Sequence, residues 1–309
     1  FMKGIGVYGA EIKIGGFSGL LCELLILNHK SFVGVIKSFA NWKERKIIDI
    51  EGHYKERKDE VKKIFEEPLI IIDPVDKGRN AAAAVRKEKI DELIVASRAF
   101  LKNPQHNFFY PPAPKAYDFK KLTQIMASRG STLILIKSGK VNAVPDILWG
   151  QLYKSQKSLR KMLKQYDFQL LHDDVWSNEK DLNVFIFELE GRFLPPLKKH
   201  IGPPVEKTNE CERFLQKHLK STTTMSAPYL ENSRWVVEIK RKHTDAVGLL
   251  LEKLADGGRR IGVAYLVSRA IKDHFEVLAN EEVKNIYLSD NAFAKFLTAY
   301  LERKPKWLS

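Results

Sequence analysis

The sequence predicts a multidomain α+β protein: a mostly helical first domain, then an α/β body, then a basic tail unit. Three observations carry this. Apolar residues recur at three and four in residues 17–40 and 88–102, the period of a helix with one buried face. Between residues 131 and 189 the pattern changes to a β-rich run, a long amphipathic stretch and two more β-rich runs. A segment rich in proline and aromatic residues, 103–119, separates the two regimes and reads as an extended connection. At 309 residues the chain has room for two or three domains with cores of their own, and 44% apolar residues exclude wholesale disorder.

In the first domain, "FSGLLCELLILN" and "KSFVGVIKSFANW" are expected as two packed helices. "KIIDIE" and "PLIIID" follow as short strands of β-branched residues, a small insertion among helices. The second strand runs into "IIIDPVDKGRNAAAAV", residues 70–85, which opens as a buried strand and closes as an alanine-rich helix with Arg79 between them. In the connection, Phe108, Phe109 and Tyr110 are read as a hydrophobic plug between domains, with stacking on bases as the alternative.

After a helix at 118–128, the body is expected to run strand "STLILIK", helix Pro145 to Tyr166, strand "FQLLHDDV" and strand "LNVFIFEL". A helix packed on such a sheet is similar to an RNA-recognition-type sheet, although the aromatic consensus of that sheet is missing. At 100° per residue, Lys154, Lys157, Arg160, Lys161 and Lys164 share one face of the long helix, while Leu148, Leu152, Leu159, Met162, Leu163 and Tyr166 lie opposite. No acidic residue occurs from Gln151 to Tyr166, so the stripe is expected to be unpaired: either a solvated lysine face or a surface for phosphates. Residues 191–275 continue basic, with a turn at Gly202, Pro203 and Pro204, a helix from Cys211 to Leu219, a strand from Arg234 to Arg241 and a break at Gly257 and Gly258. A last helix is capped by Asp290 or Ser289 and buries Phe293, Phe296, Leu297, Tyr300 and Leu301.

Fifty-two Lys and Arg against 38 Asp and Glu give a formal charge of +14, which favours a polyanionic partner. Cys22 and Cys211 are the only cysteines, so neither a disulfide framework nor a zinc module is signalled and a reducing, intracellular compartment is expected. The longest apolar run is broken by Glu23 and is too short to span a bilayer. The opening "FMKGIGVYGAE" reads as mid-domain sequence, so the chain is expected to be a piece of something longer. P-loop, nucleophile-elbow and zincin motifs are absent. His172, Asp173 and Asp174 are adjacent and are read as a turn or surface rather than a metal site. Asp49 and Glu51 alternate as strand carboxylates for two metal ions would, but the exposed face of a strand is the preferred reading. Gly15, Gly16 and Ser18 stand at the mouth of a helix, where free N–H groups and a hydroxyl suit an anion, and where the same residues also serve as a plain cap. Arg79 offers a rigid fork of donors for a nucleobase edge or carboxylate, with Asp73 and Asp76 near enough to orient it or to close an ordinary salt bridge.

Taken in order, "GVYGAEIKIGGFSGLLCELLI", "IIIDPVDKGRNAAAAV", "FLKNP" followed by "FFYP", and "APYLENSRW" resemble the archaeal-type (class I) CCA-adding tRNA nucleotidyltransferases over essentially the whole chain. The resemblance implies a central nucleotide-selecting domain at 1–112, an α/β body at 113–190, a basic tail unit binding tRNA at 191–275, and a C-terminal helix at 276–309 returning to the body. In that family a catalytic head holding Mg²⁺ through three carboxylates precedes a sequence like "FMKGIGVYGAE". The expectation is therefore a chain without that head, with no catalytic or metal-binding residue and no activity alone. Tyr8 matches a tyrosine that contacts the triphosphate, and Arg79 an arginine that reads the incoming C or A; Ser18 joins them as a nucleotide-binding candidate. Lys154, Lys157, Arg160, Lys161 and Lys164 would bind tRNA by its shape and phosphates. The expected activity is template-free addition of C, C and A to the tRNA 3′ end from CTP and ATP, in the cytoplasm, with the head as a partner and a homodimer left open. The alternatives are a standalone RNA-binding or scaffolding protein and part of a poly(A)-polymerase-like enzyme.

Overall fold

The computed structural model describes residues 1–55 and 57–308. It divides into two compact units: Phe1–Ala116 with Val144–Gly150 and Lys295–Ser309, and Tyr117–Ala143 with Gln151–Ala294.

In the first unit, α1 (Gly19–His29) and α2 (Phe32–Ala40) each start at a serine, Ser18 and Ser31, whose hydroxyl accepts a backbone N–H of the first turn. Strands β1 (Lys46–Ile48) and β2 (Leu69–Ile71) pair in parallel across α3 (Lys58–Ile64), with Ile47 opposite Ile70, and α4 (Lys87–Lys102) follows. Because side chains alternate along a strand, Leu69 and Ile71 enter a large core with Phe17, Leu25, Phe39 and Leu93. Ile70 and Ile72 point the other way, into a small core with Tyr54, Val61 and Phe65. A three-residue strand thus carries two cores, which explains why it reads as an unbroken apolar run. Phe108 and Phe109 do not plug a space between domains. They pack with Phe1 and Phe100 inside this unit, and Phe108 stacks on Trp307 at 5.1 Å between ring centroids.

The alanine-rich stretch is not a helix. Residues 81–84 form a turn, and α4 begins only at Lys87. Asn80 is the reason: its Oδ1 accepts the N–H groups of Ile71 and Ala82, and its Nδ2 donates to Leu69 O at 3.1 Å, tying the backbone to β2. Arg86, extended at ψ 145°, then donates its N–H to Gly15 O. Helix propensity of four alanines gives way to a side chain that supplies the hydrogen bonds a helix would otherwise supply.

In the second unit, α5 (Phe119–Arg129), β3 (Thr132–Ser138), α6 (Pro145–Gln165), β4 (Leu170–Ser177) and β5 (Asn183–Leu189) appear in the expected order, with α6 starting in the first unit and continuing in the second. The sheet runs β4-β5-β3-β9, antiparallel throughout, where β9 is Phe275–Ala279. Every residue of β5 is buried, and every residue of β3 except Lys137. The sheet is therefore covered on both sides, and its central strands offer no open face on which bases could stack. Inside it, Glu188 is 1% exposed and accepts both Arg129 Nε at 2.6 Å and Arg129 Nη2 at 2.9 Å, with Ser131 Oγ donating as well. Burial pushes this carboxyl up, and the Arg129 fork and Ser131 outweigh it, leaving it below the usual range.

A second sheet, ordered β6-β8-β7, is formed by β6 (Leu197–Pro204), β7 (Tyr229–Glu231) and β8 (Arg234–Lys240), with α7 (Thr208–Leu219) against it. Gly202, Pro203 and Pro204 lie in β6 and not in a turn, at a register shift between Ile201 and Pro204. β6 is an edge strand, where a missing N–H costs no ladder bond. Gly202 lets the Phe214 ring approach so closely that a Cβ would lie 2.6 Å from it. Asp167 accepts from Lys198 of β6 at 2.8 Å and from Arg241, the residue that follows β8. Helices α8 (Ala246–Leu254), α9 (Tyr265–Asp273), α10 (Lys284–Ser289) and α11 (Asn291–Glu302) complete the chain. Asp290 caps α11, as expected, through Ala292 N and Phe293 N, both at 2.9 Å. No single helix among the described residues is long and apolar enough to cross a membrane.

Candidate functional site

The segment Val7–Ser18 folds back on itself. Gly9 N donates to Phe17 O, Phe17 N to Val7 O, and Gly16 N to Gly9 O. Gly16 has no room for a side chain, since a Cβ would lie 2.1 Å from Val7 O, and Gly15 takes φ 61° with Arg86 against it. These bonds correct one expectation. The N–H groups of Gly15 and Gly16 are taken by Glu11 O and Gly9 O, so they do not await an anion. Ser18 accepts from Leu21 N at 3.2 Å as the α1 cap. Tyr8 is brought to the same place: its hydroxyl lies 3.4 Å from where a Cβ on Gly19 would be, at the first turn of α1, with Lys3 Nζ 5.0 Å from its ring centroid. Tyr8 is 36% exposed. The fold thus brings a phenol, with an ammonium against its ring, to the serine-capped and positive end of α1.

Arg79 closes a short excursion from β2. Ile72 and Asn80 form an antiparallel bridge at its neck, and Asp73 N donates to Arg79 O. Asp76 does not orient the guanidinium; its carboxylate accepts from Gly78 N at 2.9 Å and shapes the turn. Asp73 does the orienting, with Oδ2 3.5 Å from Arg79 Nη1. The Arg79 side chain remains 67% exposed against 11% for Asp73, so the guanidinium is held by one edge and its other donors face outward. The backbone N–H of Val75 foremost, then that of Asp76 and the nearby Arg79, keeps the Asp73 carboxyl below its usual range although burial opposes it.

On α6, Lys154, Lys157, Lys161 and Lys164 are exposed, and Leu148, Leu152, Leu159, Met162 and Leu163 are buried, as the helical period requires. Arg160 departs from the expected unpaired stripe. It donates through Nε and Nη2 to Asp173 Oδ2, at 3.0 and 2.7 Å, and Gln156 Nε2 donates to the same oxygen at 2.7 Å. Asp173 lies on β4, so the partner comes from tertiary packing and not from the helix. The same contacts give Asp173 a role that its neighbours His172 and Asp174 do not signal. Beside the stripe, Ser155 accepts from Ala264 N and Ser158 donates to Gly262 O, fixing the turn that carries Arg259 and Arg260 on this helix. Arg260 is 91% exposed, an additional cation that helix spacing alone could not place here.

Asp49 is no strand carboxylate. β1 ends at Ile48, and Asp49 folds into the next loop, accepting Gly52 N, His53 N and Tyr54 N. Among the described residues no three His, Cys, Asp or Glu side chains are grouped to hold a metal ion.

Residues 1–110 match the tRNA nucleotidyltransferase second-domain family, and residues 129–280 match the C-terminal domain of the CCA-adding enzyme. The chain is 36% identical over 306 residues to the CCA-adding enzyme of Methanothermobacter thermautotrophicus, covering 97% of the chain and 63% of that relative. It is also 36% identical over 301 residues to the CCA-adding enzyme of Methanosarcina mazei, with the same two shares, 97% and 63%. The CCA-adding enzyme of Halobacterium salinarum is 29% identical over 304 residues, 98% of the chain and 64% of the relative. These matches show what the two parts of the chain are similar to: the second domain of tRNA nucleotidyltransferases and the C-terminal domain of CCA-adding enzymes. The chain spans a little under two thirds of the length of these curated relatives.

Proposed function

We propose that this chain is the nucleotide-selecting and tRNA-binding part of an enzyme that adds C, C and A to the 3′ end of tRNA in the cytoplasm, from CTP and ATP and without a nucleic-acid template. The observation that carries the reading is the pair of domain matches, in this order on one chain. The exposed guanidinium of Arg79 supports it chemically. Cytosine and adenine each present an unprotonated ring nitrogen on the pairing edge, whereas uracil and guanine present an N–H there. One outward set of donors can therefore accept C and A and repel U and G. Tyr8, with Ser18 and Lys3 at the N-terminal end of α1, is suited to the triphosphate. Lys154, Lys157, Lys161 and Lys164 suit the phosphates of a folded RNA, with Arg160 holding the helix to β4.

Nucleotidyl transfer of this kind uses Mg²⁺, and the residues described here do not fit a site for it. The metal-binding carboxylates of the proposed reaction would lie outside the described residues. The full-length protein carrying this chain should extend tRNA that lacks its 3′ CCA when given CTP and ATP, and the 309 residues alone should bind tRNA without extending it. Extension of unstructured RNA with ATP alone would favour a poly(A)-type enzyme, and tRNA binding with no extension by the full-length protein would favour a scaffold.

A further inference from the structure

We infer that Asp73 and Tyr54 are positioning residues for Arg79: they set its guanidinium before a nucleotide arrives. The inference rests on the reading of Arg79 as the group that meets the base. It begins with the length of the excursion. Residues 73–79 leave and rejoin β2 through one bridge, and a loop of that length with an exposed arginine has no core of its own.

Two independent braces compensate. From within, Asp73 divides its oxygens: Oδ1 accepts Val75 N at 2.9 Å and Asp76 N at 3.3 Å, while Oδ2 stands 3.5 Å from Arg79 Nη1. The carboxylate is anchored by the backbone, so the arginine bends toward it and not the reverse. From outside, the loop after β1 reaches across. Tyr54 Oη donates to Lys77 O at 2.9 Å, and the His53 ring lies 3.0 Å from Pro74 O. Tyr54 is itself 7% exposed in the small core under β2, and its backbone N–H is held by Asp49 Oδ2 at 2.8 Å. A rigid phenol rooted in a core, bonded two residues before Arg79, fixes the height at which that arginine leaves the surface. Discrimination among bases by donors and acceptors needs such placement, because a mobile guanidinium would find acceptors on all four bases.

The test uses the full-length protein and measures kcat/KM for CTP and ATP against UTP and GTP. Asp73→Asn keeps an oxygen for the Val75 and Asp76 N–H groups and removes only the charge; Tyr54→Phe keeps the ring and removes only the hydroxyl. Each should lower discrimination about tenfold with tRNA affinity unchanged, and each should have no further effect in an Arg79→Ala background. An undiminished effect of both in that background means that they act on folding alone, and it overturns the inference. So does wild-type discrimination in both single variants. Should Asp73→Asn fail to fold, Tyr54→Phe decides between these outcomes. Unchanged discrimination in Arg79→Ala alone overturns the base reading itself, a result separable from failure of the two braces.

Discussion

Arg79 and Asn80 are neighbours with opposite duties, and the difference shows what a polar side chain does when its surroundings change. Arg79 is held by one edge and faces solvent, while Asn80 is 5% exposed and makes three hydrogen bonds to backbone groups of Leu69, Ile71 and Ala82. Asn80→Ala would leave buried backbone donors and an acceptor unsatisfied. We expect a loss of about 2–4 kcal/mol in urea unfolding. The same variant should also loosen the Arg79 loop, since the Asn80 side chain ties the neck of that loop to Leu69 and Ile71 of β2. A loss well under 1 kcal/mol would mean that water replaces the amide and that the neck is held by the bridge alone. Arg79→Ala, by contrast, should be near neutral for stability, because its ion pair is loose and mostly exposed.

Helix α6 separates charge that faces solvent from charge that holds the fold. Lys157 and Lys161 are exposed, whereas Arg160 between them is committed to Asp173, whose side chain is 9% exposed. Replacing Lys157 and Lys161 together by Ala should weaken tRNA binding uniformly and flatten the dependence of log K on log salt by about 1 to 2, measured by gel shift between 50 and 200 mM salt, with the melting temperature unchanged. Arg160→Ala should act the other way round, lowering the melting temperature by leaving the Asp173 carboxylate half-satisfied and scarcely altering the salt slope. A salt slope that falls for Arg160→Ala and not for the lysine pair would place the RNA on a different surface.

The protein's response to acid follows from where its charges are buried. Burial, with nearby lysines, lowers the pKa of His200 and His243, and burial with His200 and Lys217 lowers that of His218. His218 is 5% exposed with neither ring nitrogen bonded, its ring centroid 4.5 Å from that of Phe214. A folded state that keeps these rings neutral gains nothing from them above pH 6.5. Below 6.5 the unfolded chain takes up protons that the folded chain refuses, so stability falls with falling pH and levels off beneath the folded values. Asp167, Glu188 and Asp245, all lowered by their Lys or Arg partners against burial, contribute stability that is present above the ordinary carboxylate value and lost as pH falls through the folded one. Urea unfolding from pH 8 to pH 3 should therefore show two descending steps, and His218→Phe should shrink the upper one while sparing the lower. A single step at carboxylate pH would mean that these rings reach solvent in the folded state.

Much of this was legible from residue order. Periods of 3.6 and 2 located α1, α2, α4, α6, β3, β5 and the buried face of α6, because those signals depend only on which neighbours along one element share a face. The misreadings have a common cause. The alanines after Asn80, the prolines in β6, the freedom of Gly15 and Gly16, and the pairing of Arg160 all depend on partners that are remote in the chain: β2, the sheet edge, a folded-back loop, and β4. Local periodicity is a property of the chain, and it settled which segments are helices, which are strands and which faces are apolar. Where a backbone hydrogen bond or a charge finds its partner is a property of the packed molecule, and that settled whether Arg79 points outward and whether the cation at 160 is free, since a partner across space leaves no trace in spacing.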